Sequence, residues 1–311
     1  MRIFQTTIAG EITLSGVGVH SGAPSRITFR PADPGHGIVF RTIDRDGRRH
    51  PVEALVSRVA PSDLSTTLTG QNGQTISTVE HAMAAIAGAA IDNLEIDIDG
   101  PEVPIMDGTS LAFIDAFEQA GIVEQAAKRR YIRILRPVRI ESGNSWAEFG
   151  PYDSGSRYEV EIDFDTPVIG RQKYAGDMQP AAFRGDISNA RTFGFMRDVE
   201  RLWAAGLALG SSLDNSLVIG DDNTIINPGG LRHPDEFVRH KTLDAIGDLA
   251  LAGAPFIGCF RSYRGGHRLN AAALRAVFEA DNAYEMVELE EAPGGTSHVP
   301  VTPPVPAPGA A

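Results

Sequence analysis

The order in which strands and helices are predicted along the chain is the feature that most constrains its fold. Residues 1–60 alternate apolar and polar side chains between glycine-rich turns, which is typical of β-strands, and helices are predicted later in this half at 77–88 and 110–120. The second half repeats this order, with strands predicted at 131–140, 145–149, 157–164 and 255–262 and helices at 196–205, 234–251 and 270–280. Strands followed by helices in both halves predict an α+β fold of two layered α/β sandwich domains.

Composition suggests where the domains begin and end. We predict an N-terminal sandwich over residues 1–126, a polar linker at 127–130 and a C-terminal sandwich over 131–290. Residues 291–311 are rich in proline, glycine and alanine and show no hydrophobic period, so they are predicted to form a disordered tail.

Charge and composition argue against several classes of function. The 311 residues carry a formal net charge of −12, which disfavours nucleic acid as a partner because phosphate contacts need clustered Lys and Arg. No apolar run reaches the roughly 18 residues of a transmembrane helix, and the first residues lack the apolar region of a signal peptide. The single cysteine, Cys259, lies in an apolar run and is interpreted as a buried side chain in a reducing compartment. Together these features predict a cytoplasmic protein.

The predicted helix at 234–251 carries the strongest chemical pattern in the chain. His240, Asp244 and Asp248 recur every four residues and share one face, apart from the apolar stripe that contains Leu243 and Ile246. Zinc accepts imidazole nitrogen and carboxylate oxygen, and three protein ligands leave a fourth position for water. This face is therefore half of a candidate zinc site. The alternative, a solvated face with a His–Asp pair, is the more common meaning of such a fragment taken alone.

A second candidate group opens the helix predicted at 77–88. His81 is a candidate third zinc ligand, and Glu80 beside it is a candidate general base. Ser77 and Glu80 also have the spacing of a capping box, in which Glu80 would only cap its own helix. The two interpretations do not exclude each other, because helix N-termini often lie at functional sites.

Two glycine-rich segments are weaker candidates. His267 follows Gly265 and Gly266 after an apolar strand and is predicted to lie on a turned loop, where histidines often serve in sites, although a loop histidine is more often an ordinary surface residue. Residues 16–22 resemble a phosphate-binding loop but lack its lysine, and they also lack the third glycine of a dinucleotide-binding fingerprint. A phosphate cradle there is only weakly supported.

Taken together, these segments resemble one enzyme family in their order and spacing. The segments that carry the resemblance are residues 16–22, 77–81, 104–108, 190–195, 235–248 and 266–267. They closely resemble the UDP-3-O-acyl-N-acetylglucosamine deacetylases of lipid A synthesis, over about residues 3–285. The resemblance implies hydrolysis of the N-acetyl group of an amphiphilic UDP-sugar, the committed step of lipid A biosynthesis. It also implies two α+β sandwiches with the site between them, and a β-α-β insert in the second.

The resemblance assigns the metal and the reacting groups. The implied zinc ligands are His81, His240 and Asp244, with one ion per chain, and the same ligands also suit iron(II).

Four further residues are given catalytic roles by the resemblance. Glu80 is the implied general base, and His267 is the implied second catalytic group, a cation or proton donor oriented by Asp248. Thr192 is implied to help hold the oxyanion.

The resemblance also implies which residues contact each part of the substrate. Lys241 is placed near the phosphates or the leaving group, Arg264 near the phosphates, and Phe164 against uracil, while an apolar passage for the acyl chain is placed near residues 195–220. The implied substrate-binding residues are Lys241, Phe164, Phe193, Arg264, Leu207 and Leu213.

Two rival functions stay open at this point. One is a zinc amidohydrolase with the same ligands that acts on a different amide. The other is a nucleotide-sugar binding module without catalysis, which the presence of both Glu80 and His267 disfavours. The protein is expected to act as a monomer on a small-molecule substrate.

Overall fold

The computed structural model describes residues 1–43, 46–62 and 64–290, so the predicted tail at 291–311 lies outside the described residues. The described chain mixes strands and helices, and the predicted α+β class is confirmed. The strands are β1 (Phe4–Ile8), β2 (Ile12–Val17), β3 (Pro24–Pro31), β4 (Ile38–Ile43), β5 (Arg49–Glu53), β6 (Val59–Ala60), β7 (Thr67–Thr69), β8 (Thr75–Ile76), β9 (Leu94–Asp99), β10 (Ile122–Lys128), β11 (Arg130–Ile134), β12 (Val138–Ser142), β13 (Ser145–Gly150), β14 (Ser156–Asp163), β15 (Arg171–Asp177), β16 (Phe193–Phe195), β17 (Leu217–Ile219), β18 (Phe256–Tyr263) and β19 (Tyr284–Glu288).

The helices connect and cover these strands. They are α1 (Glu80–Gly88), α2 (Leu111–Ala120), α3 (Pro180–Ala182), α4 (Val199–Ala204), α5 (Glu236–Ala250) and α6 (His267–Glu279), with short 3₁₀ or π turns at Val56–Arg58, Phe183–Ile187 and Met196–Asp198. Among the described residues, no helix is both long enough and apolar enough to cross a membrane.

A five-stranded sheet forms the core of the N-terminal half. Its strand order is β2-β3-β9-β4-β5, in which β4 and β9 run parallel and the other neighbours run antiparallel. The buried side chains of β3 include Ile27 and Phe29, and the Phe29 ring meets the Phe117 ring of α2 edge-on at 4.9 Å between centroids. This apolar face joins the helices to the sheet.

The C-terminal half is built around strand β18. Its seven-stranded sheet follows the order β12-β13-β18-β11-β19, and β14 also pairs with β18 and carries β15 on its other edge. A separate pair, β16 and β17, runs parallel, and α4 lies in the connection between them. The β-α-β insert implied by the resemblance is therefore present.

The segment predicted to be a polar linker belongs to two strands. β10 runs to Lys128 and pairs antiparallel with β1, while β11 begins at Arg130. Between them, Arg129 is buried and its Nε lies 2.7 Å from a carboxylate oxygen of Asp92. Polar side chains on the exposed side of β10 gave this strand the composition of a linker. The predicted division into two domains stays a prediction.

Proline explains a second difference from the sequence prediction. The single strand predicted at 131–140 is two strands, because β11 ends at Ile134 and β12 begins at Val138, just after Pro137. Proline has no amide hydrogen for a strand ladder and commonly ends or interrupts a strand.

Helices α1 and α5 cross with their backbones in contact. A Cβ atom at Gly247 of α5 would overlap the carbonyl oxygen of Glu80 and would lie 3.1 Å from the amide nitrogen of Ala84 in α1. Only glycine allows this approach, which sets the first turn of α1 against the middle of α5.

We predict that Gly247→Ala lowers the free energy of unfolding by about 1–3 kcal/mol, since the added methyl group forces two packed backbones apart. Urea denaturation measures the effect. Gly185→Ala is the matched control, because a Cβ at Gly185 meets nothing within 4 Å and the backbone there does not have a positive φ. Equal stability of the two variants would contradict the role given to this crossing.

Candidate active site

Three candidate metal ligands converge where α1 crosses α5. His81 lies in the first turn of α1, while His240 and Asp244 lie one turn apart on α5. One ligand atom from each residue lies within 4.8 Å of the others. The Nε2 atoms of His240 and His81 are 3.3 Å and 3.7 Å from Oδ1 of Asp244. The side chains predicted to bind a metal are thus brought together from separate segments.

Burial and hydrogen bonding leave these three side chains suited to bind a cation. All three residues are at most 4 % exposed, so the solvated-face interpretation of α5 is wrong. The Nδ1–H of His240 donates to the carbonyl oxygen of Ala190 (3.1 Å), which leaves its Nε2 lone pair facing Asp244. The buried Nδ1 of His81 has no hydrogen-bond partner among the described residues. Two imidazoles and one carboxylate, brought together and buried, fit a divalent metal.

The protonation states also fit metal binding. Burial lowers the pKa of His240 to about 4, so the ring is neutral near pH 7. Burial alone would raise the pKa of Asp244, but His240 and Lys241 hold it well below its usual range. Neutral imidazole and ionised carboxylate are the forms that bind metals.

Lys241 faces the metal-ligand group. Its Nζ lies 2.8 Å from Oδ2 of Asp244 and 5.6 Å from the centroid of the Phe193 ring. Burial opposes the charge, yet Asp244 raises the pKa of Lys241, so the ammonium is retained. The structure therefore engages this lysine with a ligand carboxylate, and its implied contact with substrate phosphates stays a prediction.

Glu80 does not close a capping box. The residue that caps α1 is Val79, without a side-chain hydrogen bond, and Oε2 of Glu80 instead accepts the amide hydrogen of Thr66 at 2.9 Å. Burial raises the pKa of Glu80, although His267 and His81 oppose the rise. A buried carboxylate with a raised pKa, next to candidate metal ligands, is suited to accept a proton.

His267 lies between the carboxylates of Glu80 and Asp248. The Nε2 of His267 lies 3.9 Å from Oε1 of Glu80, and its Nδ1 lies 3.0 Å from Oδ2 of Asp248. Burial alone would lower the pKa of His267, but Asp248 and Glu80 raise it to about 9. The imidazole is therefore a partly buried cation near pH 7.

The predicted loop position of His267 is wrong. His267 is the first residue of α6, and Gly266 before it has an extended backbone with φ near −172°. The double glycine marks a helix start rather than a turned loop, so the position of the ring is fixed by the helix.

The sequence analysis missed two residues that hold Asp248 in place. The hydroxyl of Thr66 donates to Oδ1 of Asp248 (2.5 Å), and the Nδ2 of Asn270 donates to Oδ2 (2.8 Å). Asn270 follows His267 by three residues on α6, a spacing that points to one helix face once the helix start is known. Thr66 carries no comparable pattern.

The segment 190–192 is fixed to α5 by a buried ion pair. Glu236, the first residue of α5, is fully buried and accepts hydrogen bonds from the amide, Nε and Nη2 of Arg191 at 3.1, 2.8 and 3.1 Å. Its carboxylate also accepts the amide hydrogen of Arg232 at 2.6 Å. This clamp fixes the Ala190 carbonyl that orients His240, and the backbone of Thr192 beside it.

The remaining predicted residues lie around this centre at different distances. The Phe193 ring lies 6.3 Å from the His240 ring and 5.9 Å from the Phe164 ring, centroid to centroid. Arg264 is exposed, has a positive φ of 52°, and donates its amide hydrogen to Glu161 at 2.9 Å.

The predicted passage residues belong to the insert. Leu207 is half-buried and Leu213 is 44 % exposed, and both lie between α4 and β17. Their apolar side chains are available to a ligand, while their predicted contact with an acyl chain is untested.

The glycine-rich loop at 16–22 is not a phosphate cradle. The amides of His20 and Ser21 donate to the carboxylate of Glu102 at 3.0 and 2.8 Å. An internal anion therefore already occupies the donors that a phosphate would need.

Known proteins similar to this chain share one description. Residues 5–279 match the family model described as UDP-3-O-acyl N-acetylglycosamine deacetylase. The chain is 61% identical over 289 residues to proteins from Brucella ovis, Brucella canis and Brucella melitensis, each named UDP-3-O-acyl-N-acetylglucosamine deacetylase. Each alignment covers 93% of this chain and 100% of the relative. The matched residues include the whole candidate site.

We predict that Glu236→Gln weakens metal binding about tenfold, the low end of the effect typical for groups that orient metal ligands, because the clamp behind Ala190 loosens. Competition with a chromogenic chelator measures the affinity, and thermal unfolding of the metal-free protein is recorded beside it. Asp235→Asn is the matched control, since this neighbouring carboxylate pairs with Arg239 (2.7 Å) at the surface. Wild-type affinity in Glu236→Gln would show that the clamp serves the fold alone.

Proposed function

Since the chain belongs to the UDP-3-O-acyl N-acetylglycosamine deacetylase family, we propose that it hydrolyses the N-acetyl group of a UDP-3-O-acyl-N-acetylglucosamine. The products are acetate and the free amine, and the reaction is the deacetylation step of lipid A biosynthesis. The observation that carries the proposal is the buried Glu80–His267 pair beside three converging metal-ligand side chains. This is the arrangement that an amide needs, because its amine is a poor leaving group.

The metal we propose is zinc, one ion per chain, with iron(II) as the second candidate for the same ligands. His81, His240 and Asp244 would hold it, and the family is metal-dependent. When bound, the ion supplies a Lewis acid for the acetyl carbonyl and for the attacking water.

We propose Glu80 as the base that removes the proton from the attacking water. Its Oε2 is held by the Thr66 amide, so Oε1 is the free oxygen and points toward His267. Burial raises the pKa of Glu80, which makes this carboxylate a stronger base than a solvated one.

We propose His267 as the group that protonates the leaving amine. Asp248 holds Nδ1–H, so the second proton, on Nε2, faces Glu80 and the reacting groups. The cation also stabilises negative charge that develops on the acetyl oxygen, and Thr192 is proposed as a further donor to that oxygen. In this proposal Glu80 accepts a proton from water, and His267 donates a proton to the leaving amine.

Substrate recognition is proposed for the residues around this centre. Phe164 and Phe193 form an aromatic pair suited to a uracil ring, and the exposed Arg264 and the charged Lys241 suit the diphosphate. The half-buried and exposed apolar side chains of the insert, including Leu207 and Leu213, suit an acyl chain.

We further propose a monomer that acts in the cytoplasm. The single cysteine, Cys259, is buried, and burial raises the pKa of its thiol, so it is an inert side chain that suits a reducing compartment.

The reaction is tested by acetate release from UDP-3-O-acyl-N-acetylglucosamine, with metal counted on the same sample. We expect metal-dependent release by the wild type and a fall of about 10²–10⁴ in kcat for Glu80→Ala, the usual contribution of a general base, with metal content unchanged. His240→Ala should lose the metal together with activity. No release by the metal-loaded wild type at any acyl length would overturn the proposed function.

The pH dependence tests the role of His267. Because Asp248 and Glu80 raise its pKa to about 9, the protonated form persists below that pH and kcat/KM should fall as pH rises through about 9. Asp248→Asn removes one of these carboxylates, so the pKa of His267 falls and the alkaline limb moves to lower pH. Asp115→Asn, a surface carboxylate paired with Arg184, is the control and should leave the limb in place. An unmoved limb in Asp248→Asn would exclude His267 as the group that titrates there.

A further inference from the structure

Glu102 is a buried carboxylate that the reaction does not use. It is 2 % exposed, and its oxygens accept four hydrogen bonds. The donors are the amide of His20 (3.0 Å), the amide and hydroxyl of Ser21 (2.8 and 2.7 Å) and the hydroxyl of Thr78 (2.8 Å). Burial would raise the pKa of Glu102, but these hydrogen bonds hold it below its usual value, so the carboxylate is ionised.

One side of Glu102 holds the loop on which the insert rests. Leu209 donates its amide hydrogen to the carbonyl of His20 (3.1 Å), and Gly210 donates to the carbonyl of Val19 (3.0 Å). A Cβ at Gly210 would overlap the carbonyl of Gly18, so the two backbones are in direct contact. The glycine-rich loop that Glu102 fixes is therefore the platform for Leu209 and Gly210 of the insert.

The other side of Glu102 holds the entry to the catalytic helix. Thr78 has a positive φ of 59° and lies two residues before Glu80. Its hydroxyl is fixed by Glu102, and the backbone of Glu102 also forms a bridge with Ser77. One carboxylate therefore connects the platform of the insert to the turn that places Glu80 and His81.

The packing around Glu102 leaves no room for a ligand there. A Cβ at Gly18 would overlap both the carboxylate of Glu102 and the hydroxyl of Ser21. Glu102 accordingly acts through its neighbours and does not touch substrate.

We propose that Glu102 is a positioning residue that fixes the insert relative to the catalytic helix and thereby sets how strongly the enzyme distinguishes long from short acyl chains. This inference rests on the proposed function, in which the insert binds the acyl chain. Loss of the carboxylate lets the insert shift while the metal ligands and Glu80 remain on their own helices, so discrimination between chain lengths changes more than turnover.

The test compares kcat/KM for UDP-3-O-tetradecanoyl-N-acetylglucosamine and UDP-3-O-butanoyl-N-acetylglucosamine. In Glu102→Gln, which keeps the size and removes the charge, the long-to-short ratio should fall about tenfold, the change that one hydrogen bond to a charged group supports. Most of the fall should come from KM for the long chain. Ser21→Ala removes one of the four hydrogen bonds and should lower the ratio in the same direction by a smaller factor, which keeps the test available if Glu102→Gln folds poorly.

Ser25→Ala is the matched control. The hydroxyl of Ser25 is buried and donates to the backbone carbonyl of Glu102 (2.5 Å), so this variant loses a buried hydrogen bond beside Glu102 without touching its carboxylate. It should lower stability and leave the long-to-short ratio unchanged.

The outcomes separate this inference from the proposed function. Acetate release by the wild type with an unchanged ratio in both Glu102→Gln and Ser21→Ala would overturn the positioning role alone. An equal fall of the ratio in Ser25→Ala would assign the effect to general destabilisation and would also overturn it. No acetate release by the wild type from either substrate would instead overturn the proposed function.

Discussion

The backbone contact between α1 and α5 is the constraint on which the rest of the site depends. Gly247 lets the carbonyl of Glu80 lie directly against α5, and no other residue at that position allows so short a distance between the helices. The contact places His81 opposite Asp244 and Glu80 near Asp248, four residues further along the same helix. Ligands and base therefore come from one crossing, and their mutual distances are set by backbone rather than by flexible side chains.

This crossing brings several ionisable groups together, and their surroundings leave one histidine neutral and another cationic near pH 7. Burial lowers the pKa of His240 to about 4, although Asp244 and the hydrogen bond to the Ala190 carbonyl oppose the fall. His267 lies between Asp248 and Glu80, so its pKa rises to about 9. The neutral ring can bind a metal and the cationic ring can deliver a proton, so one buried site performs both tasks near pH 7.

The sequence predicted the elements whose residues follow a period and the site residues that share one helix. His240, Asp244 and Asp248 could be grouped from their spacing of four, whereas His81 and His267 were candidates from their own segments that the family resemblance joined to the same site. Spacing alone did not tell a buried face from a solvated one, because burial depends on α1, which is far away in the chain.

Contacts between segments without periodicity could not be predicted in the same way. β10 looked like a linker because only its pairing with β1 reveals it as a strand. Ser77 and Glu80 have the spacing of a capping box. The carboxylate of Glu80 nevertheless accepts the amide hydrogen of Thr66, which lies outside the helix and earlier in the chain. The glycine-rich loop looked like a phosphate site because the sequence does not show that Glu102 already fills it.

The insert is therefore not an independent attachment to the catalytic core. Glu236 fixes the segment that enters β16, and Glu102 fixes the loop that contacts Leu209 and Gly210, so the insert is held at its start and at its middle by buried carboxylates. Each carboxylate accepts two backbone amide hydrogens, whose directions are fixed, and Glu236 also pairs with the guanidinium of Arg191 while Glu102 accepts the hydroxyls of Ser21 and Thr78. Side chains on the exposed part of the insert, such as Trp203, can vary with little effect on the site. Loss of the Glu236 carboxylate is expected to shift both the insert and the Ala190 carbonyl that orients His240, whereas loss of the Glu102 carboxylate is expected to shift the insert and to leave the metal ligands and Glu80 on their helices.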